Sequence, residues 1–515
     1  MNRALDIPRL KTEEFDVLVI GGGATGTGAA LDSVARGLKT ALVERFDYSS
    51  GTSSKSTKLL HGGVRYLEQA VKKLDRVQYK LVRDALHERS TLLKLAPHLA
   101  KPLALMTPLY RRLEAPYYMA GLKLYDWLAG RQGLTPSQYV SAEQALQRFP
   151  MLKKEGLKGG VIYYDGQFND SRMNVSLALT ASEHGAAVVN YVEVQSLIKK
   201  ANKIVGARVE DKETGEKFTI KAKVVINASG AFCDAIRKLD NPSVAPILTS
   251  SSGIHIVLDK KFSALETGLL IPKTEDKRVL FLLPWEGHTL VGTTDNPCEI
   301  ESHPKVEPSD ISYILRQLKY YFSLEVTERD ILSSWVGLRP LVSQLRVHDT
   351  ARLSRDHIVN VSESGLLTVT GGKWTTYRKM AADVVNQAIR VGELKPLNDS
   401  RTEQIPIAGG EKFKPSIAAE LTEKYGMENG VSEHLMNSYG DRALQVAKLT
   451  KEFPGKLAPN FPYLVAEVIY AIRVEGARTA DDILARRTRL TFLNATASAS
   501  ARGSVELLLK RELAR

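Results

Sequence analysis

A chain of 515 residues with 43% hydrophobic and 25% charged side chains is long enough for two or three domains, each with a well-buried core. No apolar run reaches the roughly 18 residues that a bilayer-spanning helix needs, and two cysteines, Cys233 and Cys298, exclude a disulfide framework and indicate a reducing compartment. The formal charge of +13 is scattered, with no basic run of five or more, which excludes a dedicated nucleic-acid tail and favours an anionic membrane surface or an anionic substrate as partner.

The N-terminal stretch Met1 to Glu14 lacks the apolar core of a secretion signal, and Asp6, Glu13 and Glu14 break the basic amphipathic pattern of a mitochondrial leader. The first clear unit is a buried-strand run, Asp16 to Ile20, then a glycine-rich turn, a small-residue helix from Gly26 to Arg36, and a strand from Lys39 to Val43 ending in Glu44. Strand, turn, helix and strand in that order make the parallel-sheet pattern. Helical periodicity runs from Val77 to Leu95, from Pro116 to Leu128 and from Asn174 to His184. Strands are predicted at Ala187 to Leu197, Ile204 to Val209 and Lys217 to Ile226. Short apolar runs broken by Pro and Gly, at His255–Leu258, Val279–Leu283 and Thr289–Gly292, point to an antiparallel sheet. A helix from Pro308 to Phe322, strands near Ile331–Gly337 and Gly365–Thr370, and a helix after Gly371-Gly372 follow. Leu397 to Lys414 reads as a polar linker, and helices dominate beyond it, including Tyr463–Arg473 and Thr479–Leu490.

The turn Gly21-Gly-Gly-Ala-Thr-Gly26 fits G-x-G-x-x-G, a weak motif alone and a strong one between that strand and that helix. Gly21 permits the tight turn, Gly23 lets backbone approach a pyrophosphate, and Gly26 allows close helix–sheet packing. The helix N-terminus offers N–H groups to phosphates, and Glu44 accepts from ribose hydroxyls while disfavouring an NADP phosphate. The fingerprint does not choose between NAD and FAD. The hydroxyl-rich loop Ser49 to Lys58, with Thr52 and Ser53 at its centre, suits an extended FAD, where an NAD domain would proceed to another helix. The strand Val224-Val-Ile-Asn-Ala-Ser-Gly230 ends in small residues, which suits backbone laid against the same cofactor.

Four further segments carry a resemblance: Lys58-Leu-Leu-His-Gly-Gly-Val-Arg-Tyr-Leu-Glu68, Pro284-Trp-Glu-Gly-His-Thr-Leu-Val-Gly-Thr-Thr-Asp295, Gly337-Leu-Arg-Pro-Leu341 and Gly371-Gly-Lys-Trp-Thr-Thr-Tyr-Arg378. With them the chain resembles the FAD-dependent glycerol-3-phosphate dehydrogenases, membrane-associated enzymes that pass electrons to quinone, and most closely the mitochondrial type around Gly268 to Asp295. The resemblance implies a Rossmann-type FAD-binding domain (α/β), a substrate domain with an antiparallel sheet (α+β) and a helical C-terminal domain. The flavin parts are expected at about 14–100, 155–250 and 335–395, interleaved with substrate parts at about 101–154 and 251–334. A linker at 396–414 and the helical domain at 415–515 complete the division. The implied reaction is sn-glycerol 3-phosphate plus quinone giving dihydroxyacetone phosphate plus quinol. The implied setting is the cytoplasm, peripherally on the inner (cytoplasmic) membrane, or the mitochondrial inner membrane in a eukaryote; a homodimer is allowed. The chain carries no calcium-loop motif of the animal mitochondrial members near its end and lacks the long insertion of the oxygen-using glycerophosphate oxidases.

Oxidising a secondary alcohol needs a hydride acceptor, removal of the hydroxyl proton and an anchor for the phosphate. By resemblance the anchor is Arg65, Arg355 and Lys373, with the Tyr66 hydroxyl; Arg suits bidentate phosphate contacts and Lys supplies a compact charge. Histidine titrates near working pH, which makes His255 and His61 the candidate bases. Arg339 is the candidate to polarise the developing oxygen; the order is His255, Arg339, His61. Gly372 and Thr375 open a helix whose N-terminus would face the flavin and favour the negative charge of its reduced form, with Thr375 or Thr376 as cap. No metal site is visible, since the ten histidines make no i,i+4 pair and the cysteines stand apart. The Tyr110 to Arg131 stretch mixes basic residues with Tyr, Trp and Leu, a composition that fits an interfacial helix and a core helix about equally. Two rival functions are a flavin amino-acid oxidase, which would need a different clamp from this set of cations, and a tRNA-modifying flavoprotein, which would need clustered basic and aromatic residues.

Overall fold

The computed structural model describes residues 1–63, 76–111, 113–264, 266–272, 274–276, 278–342 and 357–514. Two sheets and a helical C-terminal third make up the chain. In the first sheet, four parallel neighbours run Leu367–Gly371, Lys217–Asn227, Glu14–Ile20 and Thr40–Val43, with Ala187–Val189 parallel at one end and His357–Val361 antiparallel at the other. The hairpin Val192–Lys200/Lys203–Asp211 pairs onto the extended end of Lys217–Asn227. Helices Ala24–Ala35, Asp170–Glu183 and Tyr377–Val391 bury one face of this sheet. Leu10, on a short N-terminal helix, Arg3–Thr12, packs on the other. A parallel sheet covered on both faces explains why its strands read as continuous apolar runs.

The second sheet is mostly antiparallel and has ten strands, Leu248–Asp259 and Ile331–Val342 being its longest pair. Here the side chains alternate. Val257, Phe281, Leu283, Leu290 and Trp335 point to one face, where Ile483, Leu484 and Phe492 of the C-terminal third meet them. Ile256, Leu258, Leu280, Leu282 and Val291 point to the other, against Ile314 and Leu318 of helix Pro308–Tyr321. A one-residue slip would exchange the two faces, so the register is strongly fixed.

Two expected boundaries shift. Gly159–Phe168 and Ile331–Val342 were expected, wholly or in part, with the flavin parts, and both lie in the second sheet. Strand Ala100–Leu109 recruits the first as its antiparallel partner along ten residue pairs. The expected strand from Ala187 to Leu197 is two strands, broken at Tyr191, where the backbone turns left-handed. The stretch 396–414 forms no helix or strand, yet it is pinned: Leu397 N donates to Arg36 O at 2.8 Å, Ile407 N to Leu95 O at 2.9 Å, and Ala408 N to Thr180 Oγ1 at 2.9 Å.

The C-terminal third has its own apolar core around Leu421, Leu435, Val446 and Ala466, but buried ion pairs fasten it to the first sheet. Arg172 meets Glu475 at 2.7 Å, Arg486 meets Asp47 at 2.5 Å, and Arg487 pairs with the same Asp47. Removing one partner of such a pair costs about 3–5 kcal/mol, because the other charge stays buried.

Candidate active site

Strands Glu14–Ile20, Lys217–Asn227 and Leu367–Gly371 are neighbours and parallel, so their C-terminal ends lie side by side, the place where open α/β sheets bind ligands. At each end the chain turns without a side chain. Gly21 has φ +114°, and a Cβ there would lie 2.6 Å from Ala228 O. Gly26 cannot take a Cβ either, because it would strike Gly21 O. Gly230 has φ +59° with open space beyond it, and Gly371 and Gly372 have φ +81° and +69°. Gly23 precedes helix Ala24–Ala35, and its own Cβ position stands 3.0 Å from Ser53 Oγ. These features make a cradle of backbone N–H groups at one helix N-terminus, which fits a dinucleotide pyrophosphate.

Glu44 closes that cradle. Its carboxylate accepts from Gly22 N at 2.6 Å and Phe46 N at 2.9 Å; burial nevertheless pushes the carboxyl above its ordinary range. Each oxygen keeps a second lone pair for a ribose hydroxyl. The hydroxyl-rich loop is then tied on all sides. Ser53 Oγ accepts from Ala24 N at 3.0 Å, Ser53 O accepts from Trp374 Nε1 at 2.9 Å, and Thr52 Oγ1 donates to Leu338 O at 2.7 Å. One loop thereby joins the fingerprint, the Gly371–Thr376 turn and the strand carrying Arg339.

The loop continues to His61, whose backbone N donates to Thr375 Oγ1 at 3.1 Å. His61 Nδ1 lies 2.8 Å from Asp165 Oδ2 and accepts from Gly63 N at 2.9 Å. The carboxylate favours a proton on Nδ1, whereas the Gly63 N–H favours a lone pair there, so the two neighbours pull the ring toward opposite tautomers. Asp165 is fully buried, and its Oδ1 accepts from Arg89 Nη1 at 2.7 Å and Tyr125 OH at 2.8 Å. Burial alone would raise this carboxyl; the His61 ring and the Arg89 guanidinium outweigh it and hold it at about 2. Burial pushes the Tyr125 hydroxyl far up, so it remains a donor.

His255 sits differently. It is 3% exposed, stacked on Trp335 at 5.5 Å, with Nε2 3.1 Å from Thr57 Oγ1 and no hydrogen-bond partner for Nδ1. Burial, with Lys58 and Arg339 nearby, drives its basicity well below that of an ordinary histidine. Arg339 Nη1 donates to Asp295 Oδ1 at 3.0 Å and Ser252 O at 3.2 Å, and Nη2 to Thr293 Oγ1 at 3.0 Å and Thr294 O at 2.8 Å. Both terminal nitrogens are thus engaged by protein, and what Arg339 offers beyond them is charge. Lys373 is half-buried at the turn into Trp374–Thr376. The expected cap is not made: Thr375 accepts from His61, Thr376 Oγ1 donates to Lys373 O at 3.2 Å, and neither hydroxyl caps helix Tyr377–Val391. Arg65, Tyr66 and Arg355 lie outside the described residues.

Sequence reasoning missed Asp165 and the ionic node behind the loop. Lys58 Nζ donates to Asp170 Oδ2 at 2.7 Å and to Ser54 O at 2.8 Å, and Arg489 Nη2 donates to the same Ser54 O at 2.7 Å. All three charged groups are buried, and burial pushes the Lys58 ammonium down to about 7. The available signal was a charged residue inside an apolar strand run, as Asp165 stands in Gly159–Phe168. Among the described residues, His87, Glu88 and Glu403 bring metal-ligand-type atoms together, but Arg378 pairs with both carboxylates and already neutralises them.

A sheet of this topology with a glycine fingerprint and a hydroxyl-rich wrap defines an FAD-dependent oxidoreductase, and residues 16–378 match the family model described as FAD dependent oxidoreductase. Residues 400–515 match the C-terminal domain of alpha-glycerophosphate oxidase. The chain is 50% identical over 517 residues to the mitochondrial glycerol-3-phosphate dehydrogenase of Mus musculus, covering 98% of this chain and 71% of the relative. To the mitochondrial enzyme of Arabidopsis thaliana it is 46% identical, covering 97% of this chain and 83% of the relative. The crystal structure of glycerol-3-phosphate dehydrogenase from Bacillus halodurans complexed with FAD superposes with a TM-score of 0.81 at 29% identity, over 99% of this chain and 93% of that one. The chain belongs to the FAD-dependent glycerol-3-phosphate dehydrogenase family, and its cofactor is FAD.

Proposed function

We propose that the chain oxidises sn-glycerol 3-phosphate to dihydroxyacetone phosphate, with His61 as base, and passes the electrons to a quinone at a membrane surface. The observation that carries the reading is the His61–Asp165 pair, hydrogen-bonded to Thr375 at the mouth of the FAD cradle. In the tautomer with its proton on Nδ1, facing Asp165, the ring presents the Nε2 lone pair, which takes the proton of the C2 hydroxyl as the C2 hydrogen leaves as hydride. Bound FAD supplies the hydride acceptor. Asp165 orients the ring and stabilises the imidazolium, the role a buried carboxylate plays beside a catalytic histidine. This reverses the order of the two histidines. A ring that resists protonation as His255 does is a poor base, and we assign it to positioning Thr57 and the loop. Arg339 holds the Thr293–Asp295 turn and contributes charge, and Lys373 joins Arg65, Tyr66 and Arg355 as the proposed phosphate anchor. Gly21, Gly23, Gly26, Glu44, Thr52, Ser53, Gly230, Gly372 and Thr375 are the proposed FAD contacts.

The membrane part rests on helix Glu114–Ala129. Its inner side buries Leu122, Tyr125 and Ala129, and its outer side exposes Leu113 (86%), Tyr117 and Trp127 (72%). An outward row of large apolar side chains near Arg111 and Lys123 suits a bilayer interface rather than a core. Among the described residues no helix is long and apolar enough to cross a membrane. Peripheral attachment at the inner mitochondrial membrane is the form we propose; the named relatives are mitochondrial.

The test is a purified-protein assay. Glycerol 3-phosphate should bleach the flavin anaerobically, and a short-chain quinone should restore its colour. Bleaching by an amino-acid panel but not by glycerol 3-phosphate would overturn the reading. Light scattering of the same sample reads whether two copies associate.

A further inference from the structure

A cavity lies outside the proposed FAD contacts. About 680 Å3 in volume, it opens between the hairpin turn Trp285–His288, the segments His98–Lys101 and Gln167–Asn169, and two C-terminal stretches, Glu428–Asn437 and Lys456–Tyr463. That volume suits a small organic molecule, and nothing in the proposed reaction uses it.

Its charge is unusual for a chain of +13. The wall carries Lys101 and Lys456 against Glu286, Glu428 and Glu433. Lys456 is taken by Glu428 at 2.8 Å, and Lys101 Nζ donates to the Asn437 amide oxygen at 2.6 Å. Among the described residues Glu286 and Glu433 make no ion pair within 4 Å; they share the field of the Lys101 ammonium, and Glu286 accepts from Asn169 Nδ2 at 3.3 Å. Aromatic faces stand beside them: Phe461 is within 9° of parallel with both His288 and Tyr463, at 5.9 Å from each. Carboxylates with aromatic faces attract a cation and repel a phosphate.

One buried group points independently to a ligand. His98 is 2% exposed, but its ring turns to the backbone at Ala408 and Gly409. Trp285 Nε1, by contrast, is buried and without a hydrogen-bond partner. A buried polar group left unsatisfied is costly, and a hydroxyl oxygen on a bound ligand satisfies it. The amides of Gln167, Asn437 and Asn460 add partners for further hydroxyls.

We infer that this cavity is a second binding site, for a small hydroxylated amine of the amino-sugar or amino-alcohol class, with Glu286 and Glu433 receiving the ammonium. The probe is glucosamine, titrated calorimetrically into the FAD-loaded enzyme, with N-acetylglucosamine as the uncharged counterpart of similar shape. Saturable binding of glucosamine is expected, at least about tenfold tighter than N-acetylglucosamine and at least about tenfold weakened in the Glu286→Gln/Glu433→Gln double variant. Both substitutions are at exposed positions, so glycerol 3-phosphate turnover should persist, which separates this inference from the proposed reaction. Absence of saturable binding, or a difference below tenfold in either comparison, overturns it.

Discussion

Replacing Asp165 by asparagine tests the centre of the proposed mechanism. The carboxylate accepts from Gly62 N, Arg89 and Tyr125 on Oδ1 and turns Oδ2 to His61 Nδ1 at 2.8 Å. Asparagine can keep Arg89 and Tyr125 on its carbonyl oxygen, but it then turns its amide N–H toward His61 Nδ1. The ring answers by moving its proton to Nε2, and the lone pair that takes the substrate proton is gone. General-base catalysis is worth roughly 10²–10⁴-fold, so flavin reduction in a rapid-mixing experiment should slow by that factor, and the residual rate should climb with pH as hydroxide takes over. Stability should fall too. Holding an aspartate at about 2 instead of its usual 3.8 corresponds to about 2 kcal/mol. Because the folded value is depressed, that contribution is present above pH about 4 and lost as pH falls toward 2. The wild type should therefore lose about 2 kcal/mol in acid that the variant has already lost. His61→Gln, at a partly exposed position, is the companion that leaves Arg89 paired. Near-wild-type flavin reduction with an unchanged pH profile in both variants would refute the argument.

Three other outcomes follow from the geometry. Gly26→Ala should abolish FAD retention because its methyl group meets Gly21 O, while Gly215→Ala, with open space and only a left-handed backbone against it, should cost about 1 kcal/mol and keep the flavin; flavin absorbance per protein separates them. Arg489→Met leaves Asp170 with Lys58 as its one ion-pair partner among the described residues and releases one of two clamps on Ser54 O, so unfolding should come about 3 kcal/mol earlier in denaturant, with faster FAD loss; an unchanged midpoint would count against the clamp. Trp127→Glu and Leu113→Glu should each weaken co-sedimentation with anionic vesicles by about tenfold or more while leaving dye-linked turnover in solution intact, and equal vesicle binding would remove this helix from the membrane surface.

The first sheet was legible because its strands are buried on both faces and its turns demand glycine, two constraints that local sequence expresses directly. The interleaving was less so: nothing in Gly159–Phe168 says which sheet it joins, because pairing is decided by Ala100–Leu109, some sixty residues earlier. The site divided the same way. Gly21, Gly26 and Glu44 announce themselves by spacing, and His61 and His255 by type. Their ranking, however, depends on what each ring touches: His61 finds a carboxylate on a distant strand, and His255 finds the face of Trp335. Thr375 illustrates the limit. As a hydroxyl before a helix it reads as a cap, and tertiary contact gives it to His61 instead.

Asp47, Asp170 and Arg172 all lie within the first 200 residues, and each meets a charge from beyond residue 470. The molecule is consequently indivisible, although a long irregular crossing divides its two family-model matches. A nick between 396 and 414 should leave a single particle on a sizing column, because the fragments share interior charges that neither can hydrate. A gene truncated at the same place would instead produce a chain with those charges orphaned, and it should appear in inclusion bodies, colourless.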